Sequence, residues 1–150
     1  MIAAARTPVI LMAEDDSDDR LLAREAMEES GLQAELRFVE NGADLMDYLH
    51  RRSKFSVPGS APRPTLILLD LNMPRRDGPE VLKEIKTDPA LCTIPVVVFT
   101  TSRADTDIER IYQLGANSFI SKPTAFEALV KVMRTLGQYW FEVAVLPVNT

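Results

Sequence analysis

The chain has 150 residues, of which 46% are hydrophobic and 26% are charged, and its formal net charge is −5. This length and apolar content suit one compact domain with a sizeable core. The acidic balance argues against a nucleic-acid-binding surface, which takes its affinity from Lys and Arg. No apolar run approaches the ~20 residues of a membrane span, and residues 1–8 lack the apolar stretch of a signal peptide. We therefore expect a cytoplasmic protein that makes no contact with a membrane or a nucleic acid.

The first two predicted strands each lead into a helix. Residues 9–13 are a continuous apolar run, typical of a strand covered on both faces. The next helix begins at Ser17, carries acids in its first turn where the helix dipole favours them, and ends at Gly31. Residues 36–39 predict a second strand, and Asn41 leads the chain into a second helix with an apolar stripe.

A proline-rich loop over residues 51–64 separates these units from the remaining three. Residues 66–69 predict a buried third strand, and Pro79 is suited to the first turn of the helix behind it. Residues 96–99 and 118–121 predict the fourth and fifth strands, each followed by a segment of helical period.

The last helix shows a capping-box pattern at Thr124 and Glu127. Strict alternation of strands and helices implies an α/β fold, in which a doubly wound parallel sheet carries helices on both faces. We expect a single domain over residues 1–150, with a core at about 8–136 and a C-terminal extension at 137–150.

Polar side chains follow four of the predicted strands, at the point where each strand ends. Glu14 and Asp15 follow the first strand, Asp70 the third, Thr100 the fourth and Lys122 the fifth. In an open parallel sheet, ligands bind beyond the carboxyl ends of the strands, where the strand order reverses. We therefore expect these side chains to share one edge of the sheet.

Three carboxylates at one edge repel one another, and a hard cation relieves the conflict. Magnesium suits Glu14, Asp15 and Asp70 because it prefers oxygen ligands and needs few protein carboxylates. Asp16, by contrast, has the position of a helix N-cap.

A hydroxyl and an ammonium opposite the acids indicate a pocket for a dianionic group. Thr100 alone is equally consistent with a residue that merely favours strands. Lys122 precedes Pro123, and a cis bond at that position could direct the lysine side chain.

Four segments of the chain resemble the receiver domain of two-component response regulators, the CheY-like family. The resemblance covers about residues 8–136 and implies a five-stranded sheet of order 2-1-3-4-5. Each segment alone is weakly specific, but the four together, in order and at strand ends, are highly specific: residues 9–15 (VILMAED), 66–78 (LILLDLNMPRRDG), 95–102 (PVVVFTTS) and 115–123 (GANSFISKP).

The resemblance implies the following roles around the acceptor. Asp70 accepts a phosphoryl group from a sensor histidine kinase. Asp15 binds Mg²⁺ directly, Glu14 binds it directly or through water, and Asn72 contributes its backbone carbonyl; Mn²⁺ or Ca²⁺ can take the place of Mg²⁺. Asn72 and Ser102 occupy positions that tune the lifetime of the acyl phosphate.

The same resemblance implies a switch. Lys122 pairs with the phosphoryl oxygens, and Thr100 moves toward the phosphoryl group to donate a hydrogen bond. Phe119 occupies the aromatic switch position, where many relatives have tyrosine. A switch that depends on the tyrosine hydroxyl is therefore in question here.

The chain also resembles a narrower group, the single-domain regulators paired with bacterial phytochromes. The shared features are the long loop before Asp70, the NMPRRDG and GAN segments, and the aromatic residues at 139–141. We therefore expect a phosphoacceptor signalling protein rather than an enzyme. Its partners would be a sensor histidine kinase, in particular a bacteriophytochrome, and either a docking target or a downstream phosphotransfer protein.

Three alternatives belong to other classes. A pseudo-receiver scaffold would lack expected site residues, and all of them are present. A phosphohydrolase of the haloacid dehalogenase type needs an aspartate at the position of Asn72. A flavin-binding carrier needs hydroxyls after the first strand, where Glu14 and Asp15 stand.

The segment beyond Gly137 predicts a homodimer. Gly137 is expected to weaken the last helix, and the residues behind it are nearly all apolar, as in an interface. The alternative is that this segment folds back over its own domain. The residues that we assign to the dimer contact are Tyr139, Trp140, Phe141, Val143, Val145 and Leu146.

Overall fold

A five-stranded parallel sheet forms the centre of the molecule, and its strand order, β2-β1-β3-β4-β5, confirms the predicted one. The computed structural model describes residues 7–101 and 105–147. The strands are β1 (Val9–Ala13), β2 (Glu35–Val39), β3 (Leu66–Leu69), β4 (Val96–Thr100) and β5 (Ser118–Ser121). The helices are α1 (Ser17–Ser30), α2 (Gly42–His50), α3 (Gly78–Thr87), α4 (Asp105–Gln113) and α5 (Phe126–Gly137), with a 3₁₀ turn at Ser53–Ser56 and a π-helical segment at Gln138–Val143.

Side chains of the central strands alternate between two apolar layers, one on each face of the sheet. Ile67 and Leu69 of β3 join a layer with residues of α2, α3 and α4. Leu66 and Leu68 join the other layer, with residues of α1 and α5. All four leucine and isoleucine side chains of β3 are fully buried. This arrangement explains why the strands are continuous apolar runs rather than alternating ones.

The strand register brings the carboxyl ends of the strands to one edge. Ala13, the last residue of β1, pairs with Val39 of β2 and Leu69 of β3. Leu69 in turn pairs with Val98 of β4. Because all pairs are parallel, the residues that follow β1, β3 and β4 lie side by side at this edge.

The predicted ends of α1 are confirmed. The Asp16 carboxylate accepts hydrogen bonds from the backbone N–H groups of Asp18 and Asp19, as an N-cap does. Gly31 ends the helix with a φ of 75°, a left-handed conformation that glycine adopts without strain. Within the two described ranges, no helix is both long enough and apolar enough to cross a bilayer.

Two local predictions near β5 are wrong. Ala125, not Thr124, is the N-cap of α5, and no side chain caps this helix. Thr124 therefore lies one residue too early for its hydroxyl to act as the cap. The Lys122–Pro123 bond is trans, like every other peptide bond in the described residues. The lysine is instead directed by the strand ladder, since its backbone N–H donates to the Thr100 carbonyl at 2.9 Å.

The α-helix α5 ends at Gly137, which agrees with the prediction that this glycine weakens the last helix. The chain continues from α5 directly into the π-helical segment. Gly137 is buried, and a Cβ atom on it would lie 2.2 Å from Cδ1 of Leu32. The end of α5 therefore packs closely against the Leu32 side chain in the loop behind α1.

The C-terminal segment folds back in part over its own domain. Trp140 and Phe141 are half-buried against the apolar layer of α1 and α5. Leu146 lines a cleft beside the proline-rich loop. These three residues therefore have packing partners within the chain, and their assignment to the dimer contact stays a prediction. The other three residues of that assignment are exposed: Tyr139 (52%), Val143 (69%) and Val145 (97%).

Candidate functional site

Asp70 lies at the centre of the polar edge, directly behind β3. Its side chain is 8% exposed, and both carboxylate oxygens are hydrogen-bonded. The backbone N–H of Asn72 donates to Oδ1 at 3.0 Å, and the Thr100 hydroxyl donates to the same oxygen at 2.9 Å. The Lys122 ammonium donates to Oδ2 at 2.8 Å. The carboxylate is therefore held in a fixed orientation by groups from three separate strand ends.

The predicted acidic cluster is present. Ligand oxygens of Glu14, Asp15 and Asp70 all lie within 4.8 Å of one another. Glu14 is 1% exposed, whereas Asp15 is exposed. Burial raises the pKa of the Glu14 carboxyl to about 7, although hydrogen bonding to Lys122 opposes this shift. A cation at this cluster would favour the ionised form of all three acids.

Lys122 contacts three carboxylates. Its ammonium donates to Glu14 and Asp70, and it lies 3.6 Å from Oδ2 of Asp19 in the first turn of α1. Burial alone would lower the pKa of Lys122, but the hydrogen bonds to Asp70 and Glu14 outweigh it and raise the pKa. The ammonium therefore stays charged at neutral pH.

The candidate switch residues flank Asp70 on the β4–β5 side. Thr100 is fully buried and its hydroxyl already faces Asp70, with the Asn72 side-chain amide 3.5 Å away. Phe119 is half-buried against the apolar layer of α2, α3 and α4. Its backbone N–H donates to the hydroxyl of Tyr112 in α4 at 3.1 Å.

The structure thus brings together every acid, hydroxyl and cation that the sequence placed at this edge. Ser102, the second lifetime position, lies outside the described residues. Sequence reasoning missed Asp19 and Tyr112, which reach the site from helices. The first-turn position of Asp19 gave a weak signal, since that turn faces the strand end carrying Glu14.

Comparison with known proteins assigns the chain to a family. The response regulator receiver domain matches residues 10–134, and the chain belongs to that family. Response regulator Rcp1 from Synechocystis sp. is 39% identical over 139 residues, which cover 93% of this chain and 92% of Rcp1. The chain is therefore a homologue of phytochrome response regulators, as its sequence predicted, and phosphorylation on an aspartate is the general function of receiver domains.

Solved structures agree with this assignment. The crystal structure of the phosphorylated cyanobacterial phytochrome response regulator RcpA has a TM-score of 0.87 at 38% identity, and covers 95% of this chain and 100% of that one. The Mn²⁺-bound form of Rcp1 has a TM-score of 0.83 at 38% identity, and covers 94% of this chain and 99% of that one.

Proposed function

We propose that Asp70 is the phosphoacceptor and that its donor is a phosphohistidine of a sensor kinase. An Asp70 carboxylate oxygen forms the new bond to phosphorus, while the bond from phosphorus to the histidine nitrogen breaks and its electron pair returns to the imidazole. This transfer depends on positioning and on neutralising charge. The hydrogen bonds to Asp70 position its carboxylate, and the Lys122 ammonium neutralises negative charge.

We propose that Glu14, Asp15, Asp70 and the backbone carbonyl of Asn72 hold Mg²⁺. The donor set supports this, because three carboxylates converge within 4.8 Å and the Lys122 ammonium, which is paired with two of them, leaves negative charge unbalanced. A bound divalent cation would neutralise charge on the transferring group. Asp15, being exposed, leaves room for the water ligands that Mg²⁺ retains. Manganese, which is bound to the related Rcp1, would occupy the same ligands.

We propose that phosphorylation biases Thr100 and Phe119 as a two-state element. The acyl phosphate adds acceptor oxygens at the point where the Thr100 hydroxyl already donates to Asp70. Thr100 pairs with Ser121 and Val98 pairs with Phe119, so Phe119 lies on the strand beside β4, two positions before the partner of Thr100. A shift of population toward the inward state would alter the surface formed by α4, β5 and α5, which would carry the signal to a partner.

The kinase would be a bacteriophytochrome or a related sensor. This part of the proposal is supported by the similar structure of RcpA, which is described as a cyanobacterial phytochrome response regulator. Because sensor kinases make phosphohistidine from ATP, we place the exchange in the cytoplasm. The receiver would then dock a target, or pass its phosphoryl group to a downstream phosphotransfer protein, and would assist the hydrolysis of its own acyl phosphate.

The single observation that carries this proposal is the position of Asp70, whose two oxygens meet Thr100 and Lys122 beside the acidic cluster. Asp70→Asn should abolish phosphorylation and leave the fold intact, because the amide keeps the shape but is not a nucleophile. Intact-mass measurement after incubation with Mg²⁺ and phosphoramidate would show one added phosphoryl group on the parent only. An adduct of equal yield on the Asn variant would contradict the assignment.

A further inference from the structure

Asp19 stands on the solvent side of the ammonium that the proposed transfer uses. Its side chain is 43% exposed, whereas those of Glu14 and Asp70, the other two carboxylates on Lys122, are 1% and 8% exposed. The backbone N–H of Asp19 donates to the Asp16 carboxylate at 3.2 Å, which fixes this turn of α1 against the site. Asp19 is therefore the solvent-facing carboxylate of the three that contact Lys122.

The charge of Asp19 opposes the entry of a phosphodonor in two ways. It competes with the incoming phosphoryl oxygens for Lys122, because a single ammonium is shared among three carboxylates. It also adds a negative charge close to Asp70, because both carboxylates contact the same ammonium. The Lys122 Nζ atom lies 3.6 Å from Asp19 and 2.8 Å from Asp70. Coulomb repulsion at such a separation grows with the charge that the donor carries.

We propose that Asp19 is a positioning residue that, through Lys122, selects phosphodonors by charge. It would disfavour dianionic acyl phosphates and favour N-phosphoryl donors, whose nitrogen can carry a proton and which bring less net negative charge. Phosphohistidine belongs to the second class. The inference rests on the proposed role of Asp70 as acceptor and adds a specificity device to it.

Two small phosphodonors give the same product on Asp70 but carry different net charges. With acetyl phosphate, an Asp70 oxygen bonds to phosphorus while the bond from phosphorus to the acetate oxygen breaks, and acetate leaves with the electron pair. With phosphoramidate, the bond from phosphorus to nitrogen breaks and ammonia leaves. The product on Asp70 is the same, but acetyl phosphate is a dianion at neutral pH and phosphoramidate a monoanion.

The experiment compares Asp19→Asn with the matched control Asp18→Asn. Asp18 is the preceding residue, is exposed and belongs to the same turn, but it is not among the carboxylates paired with Lys122. The second-order rate constant of phosphorylation is measured with each donor in the presence of Mg²⁺ by intact mass. Asp19→Asn should accelerate the reaction with acetyl phosphate roughly three- to tenfold, and the reaction with phosphoramidate by about twofold or less.

Three further readouts distinguish a charge effect from a structural one. The acceleration should shrink at about 0.5 M KCl, because salt screens exposed charges. Asp19→Glu should keep the donor preference of the parent, and Asp18→Asn should react like the parent with both donors. Equal rates for the two Asn variants, or equal acceleration with both donors, would overturn the inference. Phosphorylation of Asp70→Asn would instead overturn the proposed acceptor, so the two failures can be told apart.

Discussion

Asp15 and Asp16 are neighbours in the chain, yet their carboxylates face different groups. Asp15 belongs to the acidic cluster with Glu14 and Asp70, while Asp16 accepts backbone N–H groups at the start of α1. Asp15→Ala should weaken Mg²⁺ binding by roughly tenfold or more, which corresponds to about 1.4 kcal/mol, because a direct carboxylate ligand is lost. Calorimetric titration with Mg²⁺ measures this effect.

Asp16→Ala is the matched control at the adjacent position. It should lower the free energy of unfolding by about 0.5–2 kcal/mol, the usual effect of losing a helix cap, and leave the Mg²⁺ affinity close to that of the parent. Urea unfolding measures the first effect, and the same titration measures the second. Equal losses of Mg²⁺ affinity in both variants would refute the ligand assignment of Asp15.

The positions of the individual site residues could be predicted, because the carboxyl ends of parallel strands lie at one edge of the sheet. Each strand is recognisable from its apolar run, so the residue behind it falls on a known edge of the sheet. Asp19 and Tyr112 could not be placed this way, since a contact from a helix depends on how that helix packs. Gly78 is similar: a Cβ atom there would lie 2.7 Å from the Leu71 Cα, a crowding that only the folded loop reveals.

At the scale of elements, the proline-rich loop is attached to α2 by Tyr48. This side chain is 2% exposed, its hydroxyl donates to the Pro62 carbonyl at 2.7 Å, and its ring packs 5.2 Å from that of Phe55. Burial raises the pKa of the Tyr48 phenol from 10.0 to about 12. The loop is therefore held by a group that must stay protonated.

Tyr48→Phe should lower the free energy of unfolding by about 0.5–1.5 kcal/mol at neutral pH, because the half-buried Pro62 carbonyl loses its donor. The folded pKa lies above the unfolded one, so the contribution of Tyr48 is fully present below pH 10 and is lost as the pH rises through about 12. The stabilities of the two proteins should thus converge above pH 10. Urea unfolding at several pH values checks this.

Tyr139→Phe serves as the control, because Tyr139 is 52% exposed. The free energy of unfolding of this variant should stay close to that of the parent at neutral pH, because an exposed hydroxyl is hydrogen-bonded to water in both states. A gap between the parent and Tyr48→Phe that does not change up to pH 11 would contradict the raised pKa of Tyr48.

Element boundaries could be predicted where a local signal decides them and not where packing does. The bounds of β1, β3 and β5 agree with the sequence, and Gly31 ends α1 as expected. Thr124 misled the prediction, because its capping pattern begins one residue before Ala125, the N-cap of α5. Gly137 is the last residue of α5, as predicted, and it also packs closely against Leu32, a contact that the sequence does not reveal.

At the scale of the whole molecule, the exposed part of the C-terminal segment lies beside an apolar groove on α5 and β5. Ile120, Val132, Tyr139 and Trp140 line this groove, whose volume is about 570 Å³. Val143, in the same π-helical segment as Tyr139, is 69% exposed. An exposed groove with several apolar side chains, together with an exposed valine in the adjoining segment, is typical of an interface. We propose that a second copy of the chain covers it, related by two-fold symmetry.

The packing of the C-terminal segment on its own domain limits which variants can test the dimer. Truncation after Gly137 would also remove Trp140 and Phe141 from the apolar layer that they cover, so a loss of dimer could follow from a damaged fold. A substitution at the exposed Val143 avoids this. Val57 in the proline-rich loop offers the matched control, because it is 62% exposed and is not among the residues lining the groove.

Sedimentation velocity at tens of micromolar protein should show a dimer for the parent and for Val57→Glu, and a monomer for Val143→Glu. Two-fold symmetry places the new carboxylate in the interface twice, and an unpaired buried charge is strongly destabilising, by roughly 3–5 kcal/mol in folded proteins. The three proteins should have similar free energies of unfolding at concentrations where all are monomeric, since both valines are exposed. A parent that sediments as a monomer with and without phosphorylation would refute the dimer. A Val143→Glu variant that remains dimeric would refute this surface as the contact.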